Sequence, residues 1–98
     1  MPTIAKDERL VQNENSVFRE EDDGAFLFDP EGGRLKYLNT TGAEVYRLCD
    51  GTRNVEEIVD VVAGVFAETP RKDIESDVTA FLATLLEMNF IVRACHDI

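Results

Sequence analysis

The sequence has no tryptophan, a single histidine, two cysteines and half as many basic residues as acidic ones. Each scarcity excludes something. Cys49 and Cys95 are far apart, no CxxC occurs and His96 stands alone near the C-terminus. That is a poor donor set for zinc, so no metal is expected. Cys49 lies in an apolar helical stretch and reads as a small buried hydrophobe. Cys95 lies in the terminal tail and reads as exposed, and no disulfide is expected between the two. Ten basic residues against 20 acidic ones leave a formal net charge of −10. Nucleic acid is bound by Lys and Arg neutralising phosphates, so it is an unfavourable partner here, as is an anionic membrane surface. No stretch reaches the roughly 18 consecutive apolar residues of a membrane-spanning helix. Met1–Asn15 lacks the apolar centre of a signal peptide. The expected location is cytoplasmic.

Catalytic patterns are also missing. Ser16 and Ser76 have no histidine near them in sequence, and His96 is nearly terminal. A Ser-His-Asp arrangement is therefore not expected. Gly32-Gly33 is not followed by either phosphate-binding glycine pattern. Asp22-Asp23-Gly24 lacks the regular ligand spacing of a calcium loop. The acids are many, but nothing in the pattern sets two of them in an apolar cleft, where paired-carboxylate chemistry needs one with a raised pKa. The reading is a binding module without cofactor, and not an enzyme.

What is present is a change of hydrophobic period. The 98 residues fit one domain with one modest core. Met1–Asn15 is polar and aperiodic and reads as a flexible N-terminal arm, leaving 16–98 as the folded domain. Val17–Glu20, Ala25–Phe28 and Arg34–Leu38 read as three short strands. Asp23-Gly24 and Asp29-Pro30-Glu31-Gly32-Gly33 supply the turns between them. In the third strand, alternation puts Leu35 and Tyr37 on one face and Arg34, Lys36 and Leu38 on the other.

Three helices follow. Thr41-Gly42-Ala43-Glu44 matches a capping box, and the first helix is expected to turn Val45, Leu48 and Cys49 inward before Gly51 ends it. Asn54 with Glu57 caps a second helix, whose stripe is Val55, Ile58, Val59, Val62 and Phe66. Thr69-Pro70 opens a third, with Thr69 as cap and Ile74, Val78, Phe81, Leu82 and Leu85 as its stripe. Asn89 is placed to cap its C-terminus, and Phe90-Ile91-Val92 reads as a strand or a packed apolar run. The fold class is α+β: a three-stranded antiparallel β-meander followed by three α-helices.

Charge along the chain is uneven. Asp7 to Glu31 holds nine acids and two arginines, whereas Arg34 to Arg53 holds four basic residues and two acids. A basic island on an acidic protein can attract an acidic partner locally, although ordinary solvated charge gives the same pattern. If the third strand lies at the sheet edge, its unpaired N–H and C=O groups can accept an extended peptide.

Several segments resemble the PqqD family in order and spacing. Leu38-Asn39-Thr40-Thr41-Gly42-Ala43-Glu44-Val45 is similar to its LN-x-T-(A/G)-A-x-I segment. Leu48-Cys49-Asp50-Gly51-Thr52 resembles its first helix end, and Val55-Glu56-Glu57-Ile58-Val59 its second helix. Asp77 to Leu85 resembles its DVxxFLxxL third helix, and Leu27-Phe28-Asp29-Pro30-Glu31 the turn before its third strand. The resemblance covers about Ala25 to Val92. It departs at Asn89-Phe90, where the family commonly has glycine before an aromatic or leucine, and at the longer Gly32-Gly33 turn. Both departures suggest a member outside the pyrroloquinoline-quinone pathway.

The resemblance implies a winged-helix-like arrangement and a specific role. Family members bind the leader of a ribosomally made precursor peptide and present it to a modifying enzyme, often a radical-SAM protein. By position, the peptide-binding residues implied are Arg34, Leu35, Lys36, Tyr37 and Leu38 on the strand. Asp77, Phe81, Thr84, Leu85 and Met88 on the third helix are the opposite wall. Leu35, Tyr37, Phe81, Leu85 or Met88 would receive apolar leader side chains, with Leu85 better suited to the core. Arg34 and Lys36 would pair with leader acids, and Asp77 reads equally as a solvated or capping acid. The implied partners are a precursor peptide and its modifying enzyme, with a homodimer through the strand edge left open. Two alternatives remain at this point: a winged-helix DNA-binding regulator, and a docking subunit that touches no peptide.

Overall fold

The computed structural model describes residues 2–94. The expectations for Cys95 and His96 lie outside the described residues. Two three-stranded antiparallel sheets and three helices share one core. The first sheet is the expected meander, with β2 (Val17–Glu21), β3 (Gly24–Phe28) and β4 (Leu35–Asn39) in sequential order. Its register pairs Val17 with Phe28 and Phe28 with Leu35 at one end, and Glu21 with Gly24 and Gly24 with Asn39 at the other. The turn before β4 closes through a 2.8 Å bond from the Asp29 amide to the Arg34 carbonyl, with Gly33 at φ +71. That φ suits glycine, which has no Cβ to clash there.

The second sheet corrects the sequence reading. β1 (Arg9–Gln12) lies between β5 (Asp50–Asn54) and β6 (Ile91–Arg93), antiparallel to both. β1 falls within the stretch read as a loose arm, and Leu10 at its centre is fully buried. The arm reading failed because β1 is only four residues long and the lone buried Leu10 gives no visible period. The β5 strand occupies the stretch between the Gly51 helix end and the Asn54 cap, where the sequence reading placed no strand. Gly51, at φ +85, does adopt the left-handed geometry expected of it, but inside an irregular stretch of the β1–β5 ladder. The folded unit therefore includes β1 and does not begin at residue 16.

α1 (Thr40–Leu48) starts two residues earlier than the Thr41 capping box suggests. Asn39, extended at φ −73 and ψ 178, is the cap, and its side-chain oxygen accepts the Gly42 amide at 2.8 Å. Val45, Leu48 and Cys49 are buried as expected. Burial pushes the Cys49 thiol up to about 12, which keeps it protonated and unreactive near neutral pH. α2 (Val55–Val65) carries the expected Asn54–Glu57 capping box, both bonds formed. α3 (Arg71–Glu87) is preceded by Pro70 as its cap residue, with no side-chain bond from Thr69. The Pro70 carbonyl instead accepts the Asp73 and Ile74 amides.

The end of α3 shows how Asn89 stands where glycine is usual. Asn89 sits at φ +67, its amide bonds to the Leu86 carbonyl, and the Phe90 amide reaches back to the Leu85 carbonyl at 3.0 Å. This is the two-bond Schellman ending, and asparagine is the non-glycine residue that best tolerates the left-handed position. It drops Phe90 and Ile91 into the core and sends β6 alongside β1. The core joins Leu10 and Ile91 of the second sheet, Ala25, Leu27 and Leu38 of the meander, and the inner faces of all three helices. Phe18 packs on Tyr46 with ring centroids 4.9 Å apart, and Arg47 binds both Glu20 and Glu44. These contacts lock α1 beneath the meander.

Candidate functional site

β4 pairs with β3 on one side only, so it is an edge strand of the meander. Its free edge borders a cavity of about 540 Å³. Lys36, Tyr37, Leu38 and Asn39 form one wall. The opposite wall is the N-terminal part of α3, through Ile74, Asp77, Val78 and Phe81. Thr41, Gly42 and Val45 of α1 complete the lining together with Val62, Phe66 and Thr69, from α2 and the link to α3.

Small residues set the shape of this groove. A Cβ on Gly42 would lie 3.2 Å from Phe81 Cζ, so the missing side chain lets the Phe81 ring settle on the first turn of α1. Gly24 faces Asn39 across the ladder. A Cβ there would lie 2.1 Å from the Leu38 carbonyl oxygen and 2.6 Å from the Tyr37 hydroxyl. Tyr37 thus covers the glycine. Its hydroxyl donates to the Asp23 carbonyl at 3.0 Å, and its ring meets Phe26 edge-on at 5.2 Å between centroids. The hydroxyl of Thr40 also donates to the Asp23 carbonyl. These bonds hold the Asp22-Asp23 turn against the end of β4.

The ladder assigns each strand residue to a face. Lys36 and Leu38 stand beside the buried Leu27 and Ala25, on the face that looks toward the helices. Leu35 and Tyr37 stand beside Phe28 and Phe26 on the outer face, 61% and 49% exposed. Leu38 is buried and belongs to the core as much as to the cavity wall. Arg34 precedes β4 and is exposed, outside the cavity lining.

On α3, Asp77 and Phe81 line the cavity, while Thr84, Leu85 and Met88 do not. The Thr84 hydroxyl donates to the Ala80 carbonyl at 3.1 Å. Leu85 is fully buried in the core, and Met88 is the half-buried C-cap residue packed against it. The cavity therefore meets a shorter part of α3 than the resemblance implies.

Several lining residues escaped the sequence reading: Asn39, Thr41, Gly42, Val45, Val62, Phe66, Thr69, Ile74 and Val78. Most were assigned to caps or to core stripes; Val45, Val62, Ile74 and Val78 do serve the core as well as the cavity wall, whereas Thr41 and Thr69 are not the caps they were read as. Phe66 ends the α2 stripe in the sequence, but in the structure it is the C-cap residue and 41% exposed.

Among the described residues, Lys36 and Asp77 are the only charged ones lining the cavity. Neither has an oppositely charged partner within 4 Å among the described residues. The site thus offers an unpaired strand edge, an apolar hollow and one free charge of each sign. Backbone N–H and C=O groups along such an edge can bond an extended chain, with the hollow accepting a side chain from it.

The family model described as Coenzyme PQQ synthesis protein D (PqqD) matches residues 24–91. No curated protein matches the chain significantly. Several solved structures share the fold, three of them as follows. TbiB1, in complex with the TbiA(beta) leader peptide, is 22% identical, with 88% of this chain and 99% of that chain covered and a TM-score of 0.76. A lasso peptide synthetase B1 complexed with its leader peptide is 20% identical, with 86% and 98% covered and a TM-score of 0.73. The solution structure of the PqqD truncation of Methylobacterium extorquens PqqCD is described as a stand-alone recognition element for ribosomally synthesised, post-translationally modified peptides. It is 20% identical, with 93% and 96% covered and a TM-score of 0.75. The matched segment takes in the meander from β3 onward and all three helices, and on it the chain belongs to the PqqD family.

Proposed function

We propose that the protein binds the leader segment of a precursor peptide along β4 and presents it to a separate modifying enzyme, of the radical-SAM type. One observation carries this reading: the free edge of β4 runs beside an apolar cavity whose far wall is α3. An added strand there would satisfy the open backbone groups of β4 while one of its side chains enters the hollow. Family membership and the leader-peptide complexes of the structural relatives support a leader peptide as the ligand. The role proposed is recognition of the peptide, with the chemistry left to the partner enzyme; family membership and the likeness to a stand-alone recognition element support this reading.

The peptide-binding residues proposed within the cavity are Lys36, Tyr37, Leu38, Asp77 and Phe81, with Arg34 and Leu35 contributing from the rim and outer face of the strand. The proposed domain runs from before Arg9, since β1 is part of the fold. The test is titration of the labelled protein with a precursor peptide encoded beside its gene. Backbone amide shifts are expected to concentrate on Leu35–Asn39 and on α3 as far as Phe81. Shifts centred on β1, β5 and β6, or no saturable shifts with any neighbouring precursor, would remove the groove assignment.

A further inference from the structure

The charges around β4 specify the kind of peptide more closely, an inference that rests on the groove reading above. The chain has twice as many acids as bases, so carboxylates are in ample supply. Every basic side chain except Arg9, Arg34, Lys36 and Lys72 lies within 4 Å of a carboxylate among the described residues. Arg9 and Lys72 stand on different elements. Arg34 and Lys36 are two residues apart, which in extended backbone places both on one side of the strand. That is the side of Leu38, where the cavity opens. Lys36 is already half-buried. A peptide laid beside it would exclude more water, and a desolvated cation needs an opposing charge.

The outer side of β4 is apolar by contrast. Val17, Phe28 and Leu35 form a row across the three strands, and Phe26 and Tyr37 form part of the next. Both rows stop at β4 with Leu35 and Tyr37 largely exposed. A strand added at this edge would continue each row by one residue, because side chains directly opposite on neighbouring strands touch.

The geometry points to an acidic, amphipathic extended segment as the occupant, with its side chains specified position by position. Carboxylates stand opposite Arg34 and Lys36. Apolar side chains stand opposite Leu35 and Tyr37. The residue opposite Leu38 is apolar and enters the cavity among Val45, Val62, Phe66, Val78 and Phe81. Asp77 on the far wall sharpens the pattern, since a third carboxylate entering the cavity would meet it. The recognised motif is therefore acid–apolar–acid–apolar–apolar, counted along Arg34 to Leu38. The net charge of −10 repels such a peptide at long range. Added salt screens that repulsion together with the local attraction, so reversing the local charges is a cleaner test than varying salt.

The probe is a displayed library of short random peptides, selected on the full chain and on the Arg34→Glu, Lys36→Glu double variant. Arg34 is exposed and Lys36 half-buried, so matching circular dichroism and melting curves are needed to establish that the variant is folded. Amide shifts with each enriched peptide locate where it binds. The expected result is peptides that map to β4 and α3 and carry acids two residues apart beside apolar residues. On the double variant, Lys or Arg should replace the acids at the same spacing. The best acidic peptide should bind the variant about tenfold more weakly or worse, as expected when two charge pairs turn repulsive. Peptides that map to the groove with no acid preference, or with the same preference on both proteins, overturn the motif and leave the groove standing. Peptides that map elsewhere, or no enrichment, overturn both.

Discussion

The two sheets have three strands each but are built in opposite ways. The meander is local: β2, β3 and β4 follow one another through tight turns. The second sheet draws β1 from near the N-terminus, β5 from between two helices and β6 from after α3. Their surfaces differ too. Every strand residue among the exposed large hydrophobics belongs to the meander: Val17, Phe28, Leu35 and Tyr37. The second sheet contributes the fully buried Leu10 and Ile91 and presents no such side chain among the described residues. The division suggests that one sheet fastens distant parts of the chain while the other is left with an edge and a face to offer.

Leu10→Ala tests that division with the largest expected effect. Leu10 is fully buried at the middle of the second sheet. Truncating a buried leucine costs about 2–5 kcal/mol, and the loss should appear as a global shift of the urea midpoint. A change within about 0.5 kcal/mol, the scale of an ordinary surface substitution, would return β1 to the status of a loose arm. Gly24→Ala is the corresponding test in the meander. The new Cβ would overlap the Leu38 carbonyl, which is backbone and has little room to yield. Overpacking of this kind costs about 1–3 kcal/mol. Its distinguishing result is spatial: amide shifts should concentrate in β3 and β4, and peptide binding at the β4 edge should weaken. Equal shifts in β1 and β6 would show that the two sheets do not respond independently.

The same contrast explains how much was legible in the sequence. Alternating side chains and the Asp-Gly and Pro-Glu-Gly-Gly turns are local signals, and the meander follows them to within a residue or so. The Asn54–Glu57 box is local and was read correctly. Asn39 was missed as a cap because Thr41 with Glu44 offers a competing match three residues apart, and only the extended backbone at Asn39 decides between them. The second sheet had little local signal, the apolar run Phe90-Ile91-Val92 at β6 being its one hint. β1, β5 and β6 are short and partly polar, and each becomes a strand only when the others arrive. The site divides in the same way. Alternation assigned Lys36 and Leu38 to one face and Leu35 and Tyr37 to the other. The extent of the cavity depends on where α2 ends and how α3 crosses it, so Phe66 and Ile74 were missed and Thr84 and Met88 fall outside.

Acid should separate the sheets with the smallest effect of the three. Burial pushes the Glu8 carboxyl up, but the Ala5 amide and the Arg93 guanidinium outweigh it and hold the group below its ordinary value of 4.5. Asp50 is likewise held below 3.8, first by the Thr52 hydroxyl and amide. Both serve the second sheet: Glu8 adjoins β1 and binds Arg93 of β6, while Asp50 opens β5. A carboxylate whose pKa is depressed by folding stabilises the fold above its unfolded value, and that contribution is lost as pH falls through the folded value. The contribution of these two groups is therefore complete above about pH 4.5 and fades below it. Both groups are near the surface, so the loss is small and is reduced further by salt. Amide protection should fall first in β1, β5 and β6 as the solution is acidified, while β2, β3 and β4 retain theirs. A Glu8→Gln, Asp50→Asn double variant should melt slightly lower at neutral pH and lose less stability on acidification. An unchanged acid dependence in that variant, or earlier loss of protection in the meander, would place the acid-sensitive fastening elsewhere in the molecule.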